Sequence, residues 1–146
     1  EVLPTLQGFN SSSRNSLMIN PDSIGRSFAA NEAVTISQSQ IDAFAAAIGE
    51  SDTSIAPPTF AIRISLEQSQ NFLTSSEVGV KWDRIVHGDQ KFEIKKPLKA
   101  GDKVMCTSVI ENYKQMAGNE FITARSDLSV NGEVAVSAWS TLVVRA

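Results

Sequence analysis

The sequence predicts an α+β domain in which two helical segments precede an antiparallel sheet. A capping pattern and one-sided apolar spacing indicate a helix over residues 38–48. From residue 85 to residue 144, apolar and polar residues alternate in four segments separated by turn residues, which is typical of half-buried strands. Helices followed by a run of strands define the α+β class.

The first helix has recognisable start and stop signals. Ser37 and Gln40 have the spacing of a capping box, and Gly49 is placed to end the helix. The apolar residues between these signals fall on one helical face, and they are Ile41, Phe44, Ala45 and Ile48.

The second segment is ambiguous from periodicity alone. Phe60, Ile62, Ile64 and Leu66 alternate as in a half-buried strand. In contrast, Pro57-Pro58 suits the start of a helix, and the polar residues 67–71 have low β propensity. The residues leave both structures open.

The strand that starts near Ile85 carries most of the chemically interesting residues. Strict alternation predicts that Val86, Gln90, Phe92 and Ile94 share one face. It places His87 and Asp89 together on the opposite face, so that His87 and Gln90 do not act as a pair. Near the end of the chain, Asn131-Gly132 predicts a two-residue hairpin turn, because both positions favour a positive φ angle.

Composition limits the possible functions. The 146 residues suit one domain, which we place at residues 21–146 behind a polar, flexible strap at residues 1–20. A net charge of -3 argues against nucleic-acid binding. No apolar run is long enough to span a membrane. The single cysteine, Cys106, favours a reducing, cytoplasmic location and is expected to be a core residue. No phosphate loop or metal-ligand spacing appears, so no cofactor is expected.

Three motifs in order point to a family. They are Ala56-Pro57-Pro58-Thr59-Phe60, then Val86-His87-Gly88-Asp89-Gln90-Lys91-Phe92, then Pro97-Leu98-Lys99-Ala100-Gly101-Asp102. Together they resemble the N-terminal-type MaoC-like dehydratase domain over roughly residues 20–146. That resemblance implies a single hot-dog domain, in which an antiparallel sheet wraps around a central helix at about 59–73.

The resemblance also implies a substrate class. Relatives of this kind hydrate or dehydrate (3R)-hydroxyacyl and enoyl thioesters of coenzyme A or acyl carrier protein. The resemblance places the thioester at the start of the central helix, beside Pro58, where peptide N–H groups around Thr59, Phe60 and Ala61 would polarise its carbonyl group. The alternative is that Pro57-Pro58 only redirect the chain into the core helix. Gly88 is a further substrate-binding candidate within the second motif.

The expected catalytic pair is incomplete. In the resembled hydratases, an Asp and a His lie between the first helix and the central helix. Here Asp52 stands where an Asp-x-Asn-Pro-x-His pattern would begin, but the Asn, Pro and His are missing. Asp52 is therefore either a remnant catalytic carboxylate or a residue of an Asx-type turn.

His87 is the single histidine of the chain. As an imidazole it suits general acid–base catalysis near neutral pH. Asp89 is either placed to orient it or is simply an exposed neighbouring charge. For His87, substrate orientation and a structural or interface hydrogen bond are the alternatives.

Five lysines lie near the third motif, and they are Lys91, Lys95, Lys96, Lys99 and Lys103. They could contact the phosphates of coenzyme A or an acidic carrier protein, or they could simply be solvated side chains at a sheet edge.

Three functions fit these patterns. The first is a thioester hydratase or dehydratase that uses Asp52 and His87. The second is a non-catalytic subunit that binds the acyl chain while another hot-dog subunit supplies the catalytic residues. The third is a free-standing acyl-CoA binder. In each of the first two cases we expect a dimer, either of two copies or with a second hot-dog protein.

Overall fold

The computed structural model describes residues 19–146. Two helices and six strands make up the regular structure, together with three short 3-10 turns at Pro21–Ser23, Pro58–Ala61 and Trp82–Arg84. The elements in chain order are β1 (Ser27–Ala29), β2 (Val34–Thr35), α1 (Gln38–Ile48), α2 (Ile62–Leu73), β3 (Ile85–Ile94), β4 (Lys103–Met116), β5 (Asn119–Val130) and β6 (Glu133–Val144). The predicted α+β class is confirmed.

The first helix, α1, starts where its capping signal predicts. The Ser37 hydroxyl accepts a hydrogen bond from the Gln40 peptide N–H at 3.2 Å, and the Gln40 side chain accepts one from the Ser37 N–H at 3.0 Å. Gly49 ends the helix with a φ angle of 74°, in the left-handed region that favours glycine. Local chemistry therefore fixes both ends of α1.

The predicted apolar face of α1 is only partly buried. Ile41 and Ala45 are buried, but Ile48 is 52% exposed. The apolar face of α1 is therefore not buried at the last turn of the helix.

The central helix is confirmed as a helix and not a strand. Its first turn is the 3-10 segment Pro58–Ala61, which continues directly into α2. Buried positions of α2 follow helical spacing, and they are Ile64, Ser65, Gln68, Ser69, Phe72 and Leu73. Half of these side chains are polar, which explains why the apolar periodicity of the segment is blurred.

The strands form one antiparallel sheet with the order β1-β4-β5-β6-β3, in which β2 also pairs with β4. Hence β3 lies at one edge, and the short strands β1 and β2 lie at the other. The β5–β6 hairpin turns at Asn131 and Gly132, with φ angles of 53° and 80°; this prediction is confirmed. Strands β1 and β2 were not predicted, because segments of two or three residues show no alternation.

The helix α2 packs against β4, β5 and β6 on one face of the sheet, which we call the inner face. Two apolar clusters fill this interface. One surrounds Phe60 and Leu128, near the start of α2, and the other surrounds Phe72 and Ile122, near its end. Of the predicted strap at residues 1–20, Ile19 is buried in the second cluster, and the Asn20 N–H donates to the Val78 carbonyl oxygen at 2.9 Å. Residues 1–18 lie outside the described residues.

A bulge in β3 overturns the predicted faces of this strand. His87 pairs with Leu142, whereas Asp89 pairs with Thr141, so Gly88 is an extra residue in the ladder. Side chains directly opposite each other in an antiparallel ladder share a face. Beyond Gly88 the alternation is therefore shifted by one residue.

The shift requires three corrections. His87 and Gln90 lie on the same, inner face, because their partners Leu142 and Ser140 both point into the core. Asp89 is on the outer face and does not share a side with His87. Val86 is also on the outer face, away from Gln90, Phe92 and Ile94.

The outer face of the sheet carries a polar network. Glu111 accepts hydrogen bonds from the indole nitrogen of Trp139 at 2.7 Å and from Arg125 at 2.8 Å. The Lys91 ammonium group lies 4.7 Å from the centre of the Trp139 ring. These contacts link β4, β5, β6 and β3 across the surface opposite α2.

Candidate functional site

The edge strand β3 presents two polar side chains toward the helix side of the sheet. His87 is exposed, and its Nε2 atom lies 3.1 Å from the backbone carbonyl oxygen of Asp89. The imidazole is thus oriented by the backbone carbonyl group of Asp89, and not by the Asp89 carboxylate as predicted.

Gln90 is held in place by the neighbouring strand. The Ser140 hydroxyl, which is buried, donates a hydrogen bond to the Gln90 amide oxygen at 2.6 Å. The amide nitrogen lies 3.5 Å from the carbonyl oxygen of Lys91. Because its oxygen is engaged, Gln90 offers chiefly N–H donors to any group that approaches the edge.

Gly88, between these residues, lies where β3 and β6 approach closely. A Cβ atom there would meet the Thr141 carbonyl oxygen at 3.4 Å and the Val143 side chain at 3.7 Å. These are ordinary contact distances, and the φ angle of Gly88 is not positive. Gly88 therefore lies at the bulge, but the available space does not strictly require a glycine there.

The entry to the central helix lies beside the connection between β3 and β4. The Ala56 N–H donates to the Leu98 carbonyl oxygen at 2.7 Å, so the first and third sequence motifs are in direct contact. Of the predicted carbonyl-polarising groups, the Phe60 N–H is engaged with the Pro57 carbonyl at 2.9 Å. Pro58 and Thr59 are exposed, whereas Phe60 and Ala61 are buried.

Asp52 forms an Asx-type turn. Its Oδ1 atom accepts the Ser54 peptide N–H at 2.9 Å and the Ser54 hydroxyl at 2.6 Å. Both hydrogen bonds lower the pKa of the fully exposed Asp52 carboxyl group below its usual value, and the one from the Ser54 hydroxyl has the larger effect. An ionised carboxylate in such a turn has an ordinary structural role.

A large groove runs along the other flank of α2, between this helix and the β1–β2 segment. Its volume is about 910 Å³. Half of its 22 lining residues are apolar, and these extend from the start of α2 to its end and include Phe28, Phe60, Ile64, Phe72 and Val104; the other half are polar or charged. The rings of Phe28 and Phe72 stack with their centres 5.1 Å apart. Arg26, Arg63 and Glu67 add charged groups to its walls.

Cys106 also lines the groove but is only 2% exposed. Burial raises the pKa of its thiol to about 11, although hydrogen bonds from Ser108 and Ser126 oppose the shift. The thiol is therefore protonated at neutral pH and is not a nucleophile. Its predicted place in the core is confirmed.

Within residues 19–146, no group of three or more His, Cys, Asp or Glu side chains is placed to hold a metal ion. Over the same residues, no helix has the length and apolar character needed to cross a bilayer.

Sequence reasoning did not identify the groove or the pairing of His87 with Gln90 on one face. The walls of the groove come from β1, β2 and α2, and the two strands were not predicted. The shared face of His87 and Gln90 could have been inferred from Gly88, because an isolated glycine within a strand pattern often marks a bulge.

The central helix and the antiparallel sheet that packs along it make a hot-dog fold. Residues 22–138 match the family described as "FAS1-like, dehydratase domain region". The chain belongs to this family, and the resemblance inferred from its three motifs is confirmed.

Two bacterial proteins are similar to this chain over most of its length. A UPF0336 protein of Thermobifida fusca is 36% identical over 146 residues, covering 88% of this chain and 95% of the relative. A UPF0336 protein of Streptomyces coelicolor is 34% identical over 139 residues, covering 84% and 93%.

Solved structures share the fold. The HadBC (3R-hydroxyacyl-ACP dehydratase) complex of Mycobacterium tuberculosis matches with a TM-score of 0.73 at 23% identity, covering 84% of this chain and 97% of the matched chain. The R-hydratase PhaJ1 of Pseudomonas aeruginosa matches with a TM-score of 0.58 at 13% identity, covering 84% and 81%.

Proposed function

We propose that this chain is the acyl-binding subunit of a hot-dog dehydratase that acts on (3R)-hydroxyacyl or enoyl thioesters of coenzyme A or acyl carrier protein. A second hot-dog protein supplies the catalytic Asp and His. The observation that carries the proposal is the segment before the central helix. Its carboxylate, Asp52, is fully exposed and engaged in a turn with Ser54, and the segment contains no histidine.

The groove along α2 suits the acyl chain. Ligand pockets have volumes of about 300–1,000 Å³, and this groove of about 910 Å³ falls within that range. The apolar half of its lining, which includes Phe28, Phe60 and Phe72, would contact the acyl chain. It reaches Phe60 in the first turn of the central helix. A chain lying there would bring its thioester close to Pro58 and Thr59, with the Thr59 N–H as the candidate donor to the carbonyl oxygen.

The edge strand β3 suits a partner subunit. An unpaired strand edge is a template for pairing with another chain, and Val86 and Ile94 expose 45% and 40% of their surface on it. A partner strand paired with β3 would join two sheets into one and would bring partner residues to His87 and Gln90. The HadBC relative is itself described as a complex.

A second candidate function is catalysis by this chain itself, with His87 as the acid–base group. The observation in its favour is the bulge, which brings His87 and Gln90 to the inner face of the edge strand. In that case Gln90 would orient the substrate, and a homodimer would complete the site.

The hydration of crotonyl-CoA separates the two functions. The purified chain should hydrate this substrate very slowly, because losing a general acid or base costs on the order of 100- to 10,000-fold in rate. Co-expression with a hot-dog protein that contains the Asp-x-Asn-Pro-x-His pattern should give a mixed dimer with strong turnover. Rapid turnover by the isolated chain would refute the acyl-binding role and favour the second function.

A further inference from the structure

The segment of residues 95–103, which comprises the connection between β3 and β4 and the first residue of β4, is strongly basic. It contains Lys95, Lys96, Lys99 and Lys103 and a single acidic residue, Asp102, in a chain whose net charge is -3. All four lysines are exposed. Within residues 19–146, none of them has a carboxylate at ion-pair distance. The connection therefore presents uncompensated positive charge to solvent.

This basic connection is firmly anchored beside the entry to the central helix. Leu98 is 3% exposed and packs in the same apolar cluster as Ala56 and Phe60. The hydrogen bond from the Ala56 N–H to the Leu98 carbonyl ties the connection to the segment before Pro58. The lysines thus border the place where the proposed function puts the thioester.

Most backbone N–H groups of the connection are engaged and are not free to cradle a phosphate. The N–H groups of Lys95 and Lys96 both donate to the Ala135 carbonyl, at 2.8 and 3.1 Å. The Lys99 N–H donates to the Asp102 carboxylate at 3.0 Å, and the Gly101 N–H donates to the Ile36 carbonyl at 2.8 Å. Phosphate nests depend on free, convergent backbone N–H groups, and here those groups are engaged.

We infer that residues 95–103 are the docking surface for an acidic carrier protein that delivers the acyl thioester. The inference rests on the proposed function. Separate ammonium groups along an extended connection fit negative charges that are spread over a protein surface better than they fit one compact phosphate group. Such complementary charges steer association and fix the orientation of the partner. In this orientation the acyl arm would reach the entry of the central helix.

The test compares two double variants with the same change in net charge. Lys96→Glu/Lys99→Glu reverses the docking surface. Lys81→Glu/Arg145→Glu reverses two exposed cations elsewhere, on the turn before β3 and after β6. Binding of the full-length chain to a purified, acidic holo acyl carrier protein is measured by calorimetry at low salt and at about 0.5 M salt. Coenzyme A and an acyl-N-acetylcysteamine thioester serve as parallel probes.

The docking variant should bind the carrier protein at least about tenfold more weakly than the wild type, whereas the control variant should stay within about threefold. Binding by the wild type should also weaken at high salt. Equal affinity of both variants, or no carrier binding by the wild type, would overturn the inference. A docking variant that loses binding only to coenzyme A would also overturn the inference, because that result would indicate a phosphate site. Failure of the acylcysteamine to bind any form would instead refute the proposed acyl-binding role.

Discussion

The hydroxyl group of Ser140 and the amide oxygen of Gln90 are 2.6 Å apart, and this hydrogen bond crosses from β6 to the edge strand β3. It fixes Gln90 on the inner face, the face to which the bulge at Gly88 also brings His87. Two polar side chains that strict alternation would separate are therefore presented together at the free edge of the sheet.

His87→Ala tests which subunit performs the chemistry. If the partner supplies the catalytic pair, a mixed dimer that contains this variant should keep its turnover within a few-fold, because His87 then at most orients the substrate. If His87 is the acid–base group, turnover should fall by about 100- to 10,000-fold. Steady-state kinetics of crotonyl-CoA hydration gives the answer, and Asp52→Ala serves as the matched control in the same complex.

Val86→Lys tests the use of the β3 edge. We expect a dimer in which the edge strands of two subunits pair, so that residues 86–90 become buried. Lysine on an edge strand disfavours such pairing, and the variant should therefore shift toward monomer in light scattering at micromolar concentration. Met105→Lys is the control, because Met105 is similarly exposed, at 37% against 45% for Val86, but lies on β4. A wild-type chain that forms no dimer, either with itself or with a second hot-dog protein, would contradict the proposal.

The helix α1 and the β5–β6 hairpin could be predicted because their signals are local. The capping box of Ser37 and Gln40 and the left-handed Gly49 act within a few residues of the chain. The same is true of Asn131-Gly132, and of the turn that Asp52 forms with Ser54. In each case the residues that carry the signal also make the contact.

The inner-face pairing of His87 and Gln90 could not be derived from alternation, because a bulge is defined only by the partner strand. The ladder between β3 and β6 joins residues about 50 positions apart in sequence, such as Gln90 and Ser140. The same reason applies to the groove. Its β1 wall forms only when Ser27–Ala29 pairs with Thr107–Val109 of β4, and no local pattern marks so short a strand.

The pair Ser108 and Ser126 should show non-additive stability. Their hydroxyl oxygens are 2.6 Å apart, and both residues are at most 1% exposed. Each single substitution by alanine leaves a buried hydroxyl that has lost this partner, and we expect a cost of about 1–3 kcal/mol. The double variant removes both groups and should cost less than the sum. Urea unfolding of the four proteins measures the coupling; strict additivity would indicate that the hydrogen bond contributes little.

Cys106 should make stability fall at alkaline pH. Burial raises the pKa of its thiol to about 11 in the folded chain, from an ordinary value of 9.0. The folded state therefore holds this proton more tightly than the unfolded state does. Its contribution to stability is complete below about pH 9 and is lost as the pH rises through about 11, by roughly 2–3 kcal/mol.

Cys106→Ala separates this effect from the titration of lysine and tyrosine residues, which both proteins share. At pH 8 the variant should be less stable than the wild type, because a buried side chain is truncated. As the pH rises toward 11, the wild type loses the contribution of the protonated thiol and the variant does not, so the difference in unfolding free energy should narrow. Urea unfolding at several pH values measures this difference. Parallel pH profiles for the two proteins would show that the thiol titrates alike in the folded and unfolded chains, in conflict with its burial beside α2.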